Sequence, residues 1–293
     1  MGRITTVDEH TVVVDGIPMR WLERGPGTTN TTTGDADGPA GADATGVPMI
    51  MVHGIPTSAE LWRRVLPAVR GRAMAWEMVG YGASIPAGVG RDISVARQAG
   101  YLSSWLDALG IERAVLVGHD LGGGVVQRVA LDRPEVCAGL VLTNAIGYDA
   151  WPVWPIKLAQ RLHPVVGRVP DALMGRIFEA VLRRMHEPAS LGSESARIHW
   201  GHYARHGGAA AFVRQARSLD VRDTLTVADR LPELDVPARV VWGDADPFLA
   251  LEWGERFARD LGTELRIIPG ALHFTPEDQP GPLAVAIAEL TRS

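Results

Sequence analysis

Apolar and polar residues alternate through ITTVDEHTVVVDGIPMRWLER, residues 4–24, with the two-residue period of a half-buried strand, and Asp15-Gly16 breaks the alternation with a tight-turn signature. A β-hairpin is expected there. From Pro48 the pattern changes to short apolar runs, PMIMVHG, RAMAWEMVGYG, RAVLVGHD and AGLVLTNAIG, which read as buried strands. Between them ISVARQAGYLSSWLDALG and GGGVVQRVALDRPE carry helical spacing. Strands alternating with helices build a mainly parallel central sheet flanked by helices, the α/β class. From Tyr148 to about Val227 no continuous β run occurs, and helical spacing with prolines and tryptophans takes over. VPARVVWGDADPFL and GTELRIIPGALHF then restore two strands. The expected organisation is a core of residues 1–147 and 228–293 with a helical cap, 148–227, inserted between two strands. Such a cap lies over the sheet edge where α/β proteins bind ligands. Residues 25–47, rich in Gly, Thr, Ala and Asp and without periodicity, are expected to form a flexible surface insertion.

Composition narrows the class. Of the 293 residues 46% are hydrophobic and 22% charged, ordinary proportions for a globular enzyme or binding protein. A net charge of −5 argues against nucleic acid, which needs a basic face, and against an anionic membrane surface. Lys157 is the only lysine, so basic charge rests on arginine. The single cysteine, Cys137, rules out an internal disulfide. The N-terminal MGRITTVDEH lacks the apolar core of a signal peptide, and no run of 18 apolar residues suggests a membrane span, so the expected location is the cytoplasm. No stripe stands out as an interface, which leaves monomer and homodimer open. A small molecule is the expected partner.

The chemistry concentrates at three strand ends. In GHDLGG, Gly118, Gly122 and Gly123 bracket Asp120 as a strained strand-to-helix turn brackets a nucleophile. An aspartate that merely caps the following helix is the alternative. WGDADPFL ends a predicted strand with Asp244 and Asp246, and PGALHFTPEDQP sets His273 directly after the last one. Nucleophile, acid and histidine in this order form the chain order of a hydrolase triad, with Asp246, deeper in its loop, preferred over Asp244. A carboxylate is a poor attacker of acyl carbon, because the product would be an anhydride. At sp³ carbon it leaves an ordinary alkyl ester. His273, oriented by Asp246, would then activate water against the Asp120 carbonyl carbon.

These motifs resemble the α/β-hydrolase superfamily, in its aspartate-nucleophile branch of epoxide hydrolases and haloalkane dehalogenases, over nearly the whole chain from about Thr11. HGIP at His53–Pro56, GYGAS at Gly80–Ser84 and GHDLGG are similar to epoxide hydrolase motifs. The longer HGIPTSAELWR and HFTPEDQP also resemble dehalogenase segments. The resemblance implies the α/β-hydrolase fold, an oxyanion hole from the backbone N–H groups of Ile55 and Leu121, and no cofactor or metal. Dehalogenases carry a halide-binding tryptophan after the nucleophile, paired with an asparagine or a second tryptophan. Here Leu121 and Ile55 stand at the two core positions, and the arginine of fluoroacetate dehalogenases is also missing. Epoxide hydrolases protonate the departing alkoxide with cap tyrosines, for which Tyr203 and Tyr148 are the candidates.

Further pocket candidates are His53, Pro56, Trp151, Trp154, Trp200 and Phe274, although the cap tryptophans equally suit cap core. His199, His202 and His206 recur at near-helical spacing and read as a polar cap face rather than a metal site. The sequence therefore favours an epoxide hydrolase giving vicinal diols, with haloalkane dehalogenase as the alternative. An ester or lactone hydrolase and a non-catalytic ligand-binding protein on the same fold stand behind them.

Overall fold

A computed structural model describes residues 7–24 and 47–291. All but Val47 of the expected insertion, 25–47, lies outside the described residues. Strands β1 (Val7–Val14) and β2 (Ile17–Arg24) form the expected antiparallel hairpin. Asp15 and Gly16 turn it with φ of 51° and 72°, the left-handed pair that suits the twist of a two-residue hairpin.

The remaining strands are β3 (Met49–Val52), β4 (Ala73–Trp76), β5 (Ala114–Asp120), β6 (Cys137–Ala145), β7 (Ala238–Gly243) and β8 (Leu265–Ile268). The eight strands form one sheet in the order β1-β2-β4-β3-β5-β6-β7-β8. It is parallel from β4 to β8 and antiparallel only where β1 meets β2 and β2 meets β4. Alternate residues of the central strands feed two cores. Leu116, Leu140 and Val240 pack on one side with helices α1 (Val95–Ala108) and α2 (Leu121–Asp132), whereas Val115, Val141 and Val241 pack on the other. Strand β4 stops at Trp76, short of the end of the run RAMAWEMVGYG: the Glu77 N–H still reaches the Arg20 carbonyl of β2 at 3.0 Å, but the two N–H groups after it bond elsewhere. Met78 N–H donates to His53 Nε2 (3.2 Å) and Val79 N–H to Gln98 Oε1 (3.1 Å), so no ladder continues.

Between β6 and β7 the described chain is helical throughout: α3 (Trp154–Arg161), α4 (His163–Val166), α5 (Asp171–Arg184), α6 (Ala189–Arg205), α7 (Gly208–Arg217) and α8 (Arg222–Ala228). Helices α9 (Leu251–Asp260), α10 (Thr275–Asp278) and α11 (Pro280–Leu290) complete the fold. Among the described residues no helix is long and apolar enough to cross a membrane.

Candidate active site

Asp120 ends β5 with φ 49° and ψ −121°, a conformation costly for a side chain with a Cβ and held by its surroundings. Small neighbours make the turn possible, since a Cβ at Gly122 would strike the Val52 carbonyl and one at Gly118 would meet the backbone of Gly123. The Asp120 side chain makes no capping bond to α2, which removes the helix-cap alternative. Instead Ile55 N–H donates to Asp120 Oδ2 at 2.8 Å, and the neighbouring Leu121 N–H also favours the charged carboxylate. Burial raises the Asp120 pKa above the ordinary value, with the charge of His273 and these two N–H groups opposing it.

His273 follows β8, and its Nδ1 lies 2.8 Å from Asp246 Oδ2. An ionised carboxylate only accepts, so Nδ1 carries the proton and Nε2 keeps the lone pair of the neutral ring. Burial alone would raise Asp246, but His273, the Phe248 N–H and Asn144 outweigh it and hold the carboxyl below its usual range. For His273, burial acts to lower the pKa, and Asp246 together with the Asp120 charge reverses it to a net rise. Asp244, the other candidate acid, is exposed and accepts the Gly270 N–H at 2.7 Å instead.

Three supporting residues escaped the sequence reading. Asn144, at φ 38° near the end of β6, donates to Asp246 Oδ2 at 2.7 Å while its Oδ1 accepts the Gly243 N–H at 3.0 Å. A polar residue inside the apolar run LVLTNAIG was the available signal. His119 donates through Nε2 to the His273 carbonyl at 2.9 Å, and burial pushes its pKa down to about 3, so it is a neutral prop. Glu277, four residues beyond His273, meets His186 Nε2 at 2.6 Å, His199 Nε2 at 3.2 Å and the Arg63 guanidinium. This buried cluster ties the histidine loop to α6, and removing one member of such a cluster typically costs about 3–5 kcal/mol.

The cavity beside Asp120 and His273 encloses about 420 Å³ between the strand ends and α3–α5. Ile55, Leu121, Pro56, Trp151, Phe248 and Phe274 line it with aliphatic side chains from the helices. Among the described residues Asp120 and His273 are its only ionisable lining groups. Trp151 is the remaining polar side chain of the wall, and its Nε1–H is already donated to Thr224 Oγ1 at 2.6 Å.

Several expected residues lie elsewhere. The Tyr148 hydroxyl donates to Asp260 Oδ2 at 2.8 Å, and its ring packs on Phe257 and Trp253 beneath the Arg256 guanidinium. Tyr203 donates to Gln215 Oε1, whose amide in turn donates to the Gly80 carbonyl. Burial raises both phenols well above the ordinary tyrosine value, and neither lines the cavity. His53 also stands outside it: Nδ1–H donates to the Gly54 carbonyl at 3.0 Å and Nε2 accepts from Met78, so the ring braces the loop that carries Ile55. Trp154 is 73% exposed, and Trp200 stacks on Tyr203. His199 and His202 are buried rather than forming a polar face. His199 Nδ1 pairs with Ser58 Oγ at 2.7 Å, and His202 Nε2 lies 3.5 Å from Glu60. Among the described residues no three His, Cys, Asp or Glu side chains converge as a metal site.

The alpha/beta hydrolase fold family profile matches residues 47–280, from β3 to the start of α11. The chain belongs to that family. Haloalkane dehalogenase 2 of Mycobacterium tuberculosis is 29% identical over 268 residues, covering 84% of this chain and 88% of that protein. An alpha/beta hydrolase fold protein from Burkholderia ambifaria superposes with a TM-score of 0.82 at 24% identity, over 96% of this chain and 97% of that one. The epoxide hydrolase CorEH superposes at 0.69 with 19% identity, over 97% and 98%. Both solved structures share the fold of this chain.

Proposed function

We propose that the protein hydrolyses apolar alkyl halides through an ester on Asp120. The observation that carries this reading is the cavity wall, where among the described residues polar side-chain chemistry is confined to Asp120, His273 and a committed indole. Attack by an Asp120 carboxylate oxygen on an sp³ carbon forms the C–O bond as the leaving group departs with its electron pair. An epoxide oxygen departs as a strongly basic alkoxide and needs a proton, whereas the Tyr148 and Tyr203 hydroxyls lie outside the cavity and point theirs at Asp260 and Gln215. A halide departs as a weak base and needs none. In the second step His273 Nε2 takes a proton from water, the hydroxide adds to the Asp120 carbonyl carbon, and the Ile55 and Leu121 N–H groups receive the oxyanion. Collapse expels an alkoxide that takes its proton back from the His273 imidazolium. The proton left on the Asp120 carboxyl passes to solvent, which restores carboxylate and neutral base and releases one proton with each halide.

Charge bookkeeping favours this order. Once Asp120 is esterified its negative charge is gone, so one of the influences that raises His273 disappears and the ring becomes a more available neutral base. With Leu121 and Ile55 giving no side-chain donor to a halide, the best leaving groups, iodide and bromide, should outpace chloride. The dehalogenase relative supports the reading, and the HGIP and GYGAS motifs favour epoxide opening as a second one.

A paired assay separates them, scoring halide from bromo- and chloroalkanes against diol from terminal and aryl epoxides. Halide release without diol is the expected result. Tyr203→Phe should then leave turnover within about twofold of the parent, because the hydroxyl serves Gln215 rather than a leaving group. Diol formation that Tyr203→Phe abolishes would overturn the halide reading.

A further inference from the structure

Soluble proteins rarely leave large apolar side chains exposed in a contiguous patch without a use for them. Helices α3–α5 do so in two rows. Trp154, Leu158 and Leu162 follow four-residue spacing along and just past α3, and Leu173, Ile177 and Val181 follow the same spacing along α5. All six are exposed, as is Val165 on α4, with Trp154 at 73% and Val165 at 67%. Leu158, Leu162, Ile177 and Val181 are at the same time part of the cavity wall. The apolar lining of the cavity therefore runs out without a break onto the outer face of these helices.

Charge along these helices is opposite in sign to that of the whole chain. Between Trp154 and Arg184 stand Lys157, Arg161, Arg168, Arg176, Arg183 and Arg184, all exposed, against two exposed carboxylates, Asp171 and Glu179. The chain's only lysine is among these cations. None of the six forms an ion pair with a described residue. The net charge of −5 is a sum over the chain and hides this local excess.

Apolar rows flanked by unpaired cations form the pattern of helices that lie in a lipid interface, with the side chains in the acyl boundary and the cations at the headgroups. We infer that the outer face of α3–α5 docks on an anionic lipid bilayer, so that an apolar substrate dissolved in the lipid enters the cavity without crossing water. Attachment of this kind is peripheral. The docking itself is independent of the reaction class proposed above; only the direct transfer of substrate rests on the cavity being the reaction site.

The test is co-sedimentation with vesicles of phosphatidylcholine carrying a fraction of phosphatidylglycerol, compared with phosphatidylcholine alone. The full chain should sediment with the anionic vesicles and be released by high salt, because surface attraction is screened. Two variants probe the face: Trp154→Glu with Val165→Glu, and Lys157→Glu with Arg161→Glu. None of these four residues lines the cavity. Each variant should lower the vesicle-bound fraction by about tenfold or more while its melting temperature stays that of the parent. Absence of binding to anionic vesicles, or equal binding by parent and variants, would overturn the inference. So would a concentration-dependent dimer that the same substitutions dissociate, since a second copy would then be what covers the face.

Discussion

Asp120→Ala leaves the protein folded and lowers turnover of every substrate by at least about 10⁴-fold, the scale on which loss of a covalent nucleophile acts. The prediction follows from how the carboxylate is held. Its oxygen faces two backbone N–H groups that are fixed by the loop after β3 and by the start of α2, and alanine keeps both. Alanine also fits the space, since the turn is shaped by Gly118 and Gly122 and not by the side chain between them. What disappears is the carboxylate that forms the bond to carbon. Circular dichroism and a thermal melt establish that the variant is folded, and released halide measures turnover. A folded variant that retains substantial turnover would place the attacking atom elsewhere.

His273→Gln separates the two halves of the reaction. Glutamine keeps an amide donor for Asp246 but has no basic nitrogen for water, so alkylation proceeds and ester hydrolysis stalls. One equivalent of halide per protein molecule should appear in a burst. Intact mass should then show the protein heavier by the alkyl group, and steady-state turnover should fall by about 10³-fold or more. A pH dependence accompanies it in the parent. In the free protein the Asp246 and Asp120 charges hold the His273 imidazole above its ordinary pKa. In the ester the Asp120 charge is absent, so the ring titrates lower. Since the base must be neutral, ester hydrolysis weakens as pH falls through the lower of these two values. The acid limb of kcat should therefore lie below the His273 titration followed by NMR in the free protein. Coincident values would show that Asp120 keeps its charge through the cycle.

The sheet and the convergence of Asp120, Asp246 and His273 were legible because both are written in local pattern. Apolar runs with punctuating glycines located the strands, and the chemical residues sit at the end of a strand (Asp120) or within a few residues past one (Asp246, His273). Direction of side chains in the helical segment was not legible. Tyr148 and Tyr203 sit in amphipathic surroundings from either viewpoint, and only the arrival of Asp260 and Gln215 from distant parts of the chain decides where their hydroxyls point. The same holds for His199, whose helical spacing suggested a solvated face. Its burial depends on Ser58 and Glu277, which are 141 and 78 residues away. Long-range partners of this kind leave no periodicity to read. Net charge is silent about local patches for a related reason: an average over 293 residues says nothing about the charge along three helices.

The covalent ester is the central claim, and the origin of the product oxygen tests it independently of the leaving group. A single turnover with protein in excess over a bromoalkane, run in heavy-oxygen water and followed by mass analysis of the alcohol and of the peptide carrying Asp120, reads that origin directly. If Asp120 attacks carbon and water later attacks its carbonyl, the alcohol carries ordinary oxygen and one heavy oxygen enters Asp120. Heavy oxygen in the alcohol with an unlabelled Asp120 would mean that water attacks carbon directly, and the account of this site as a covalent hydrolase would be wrong.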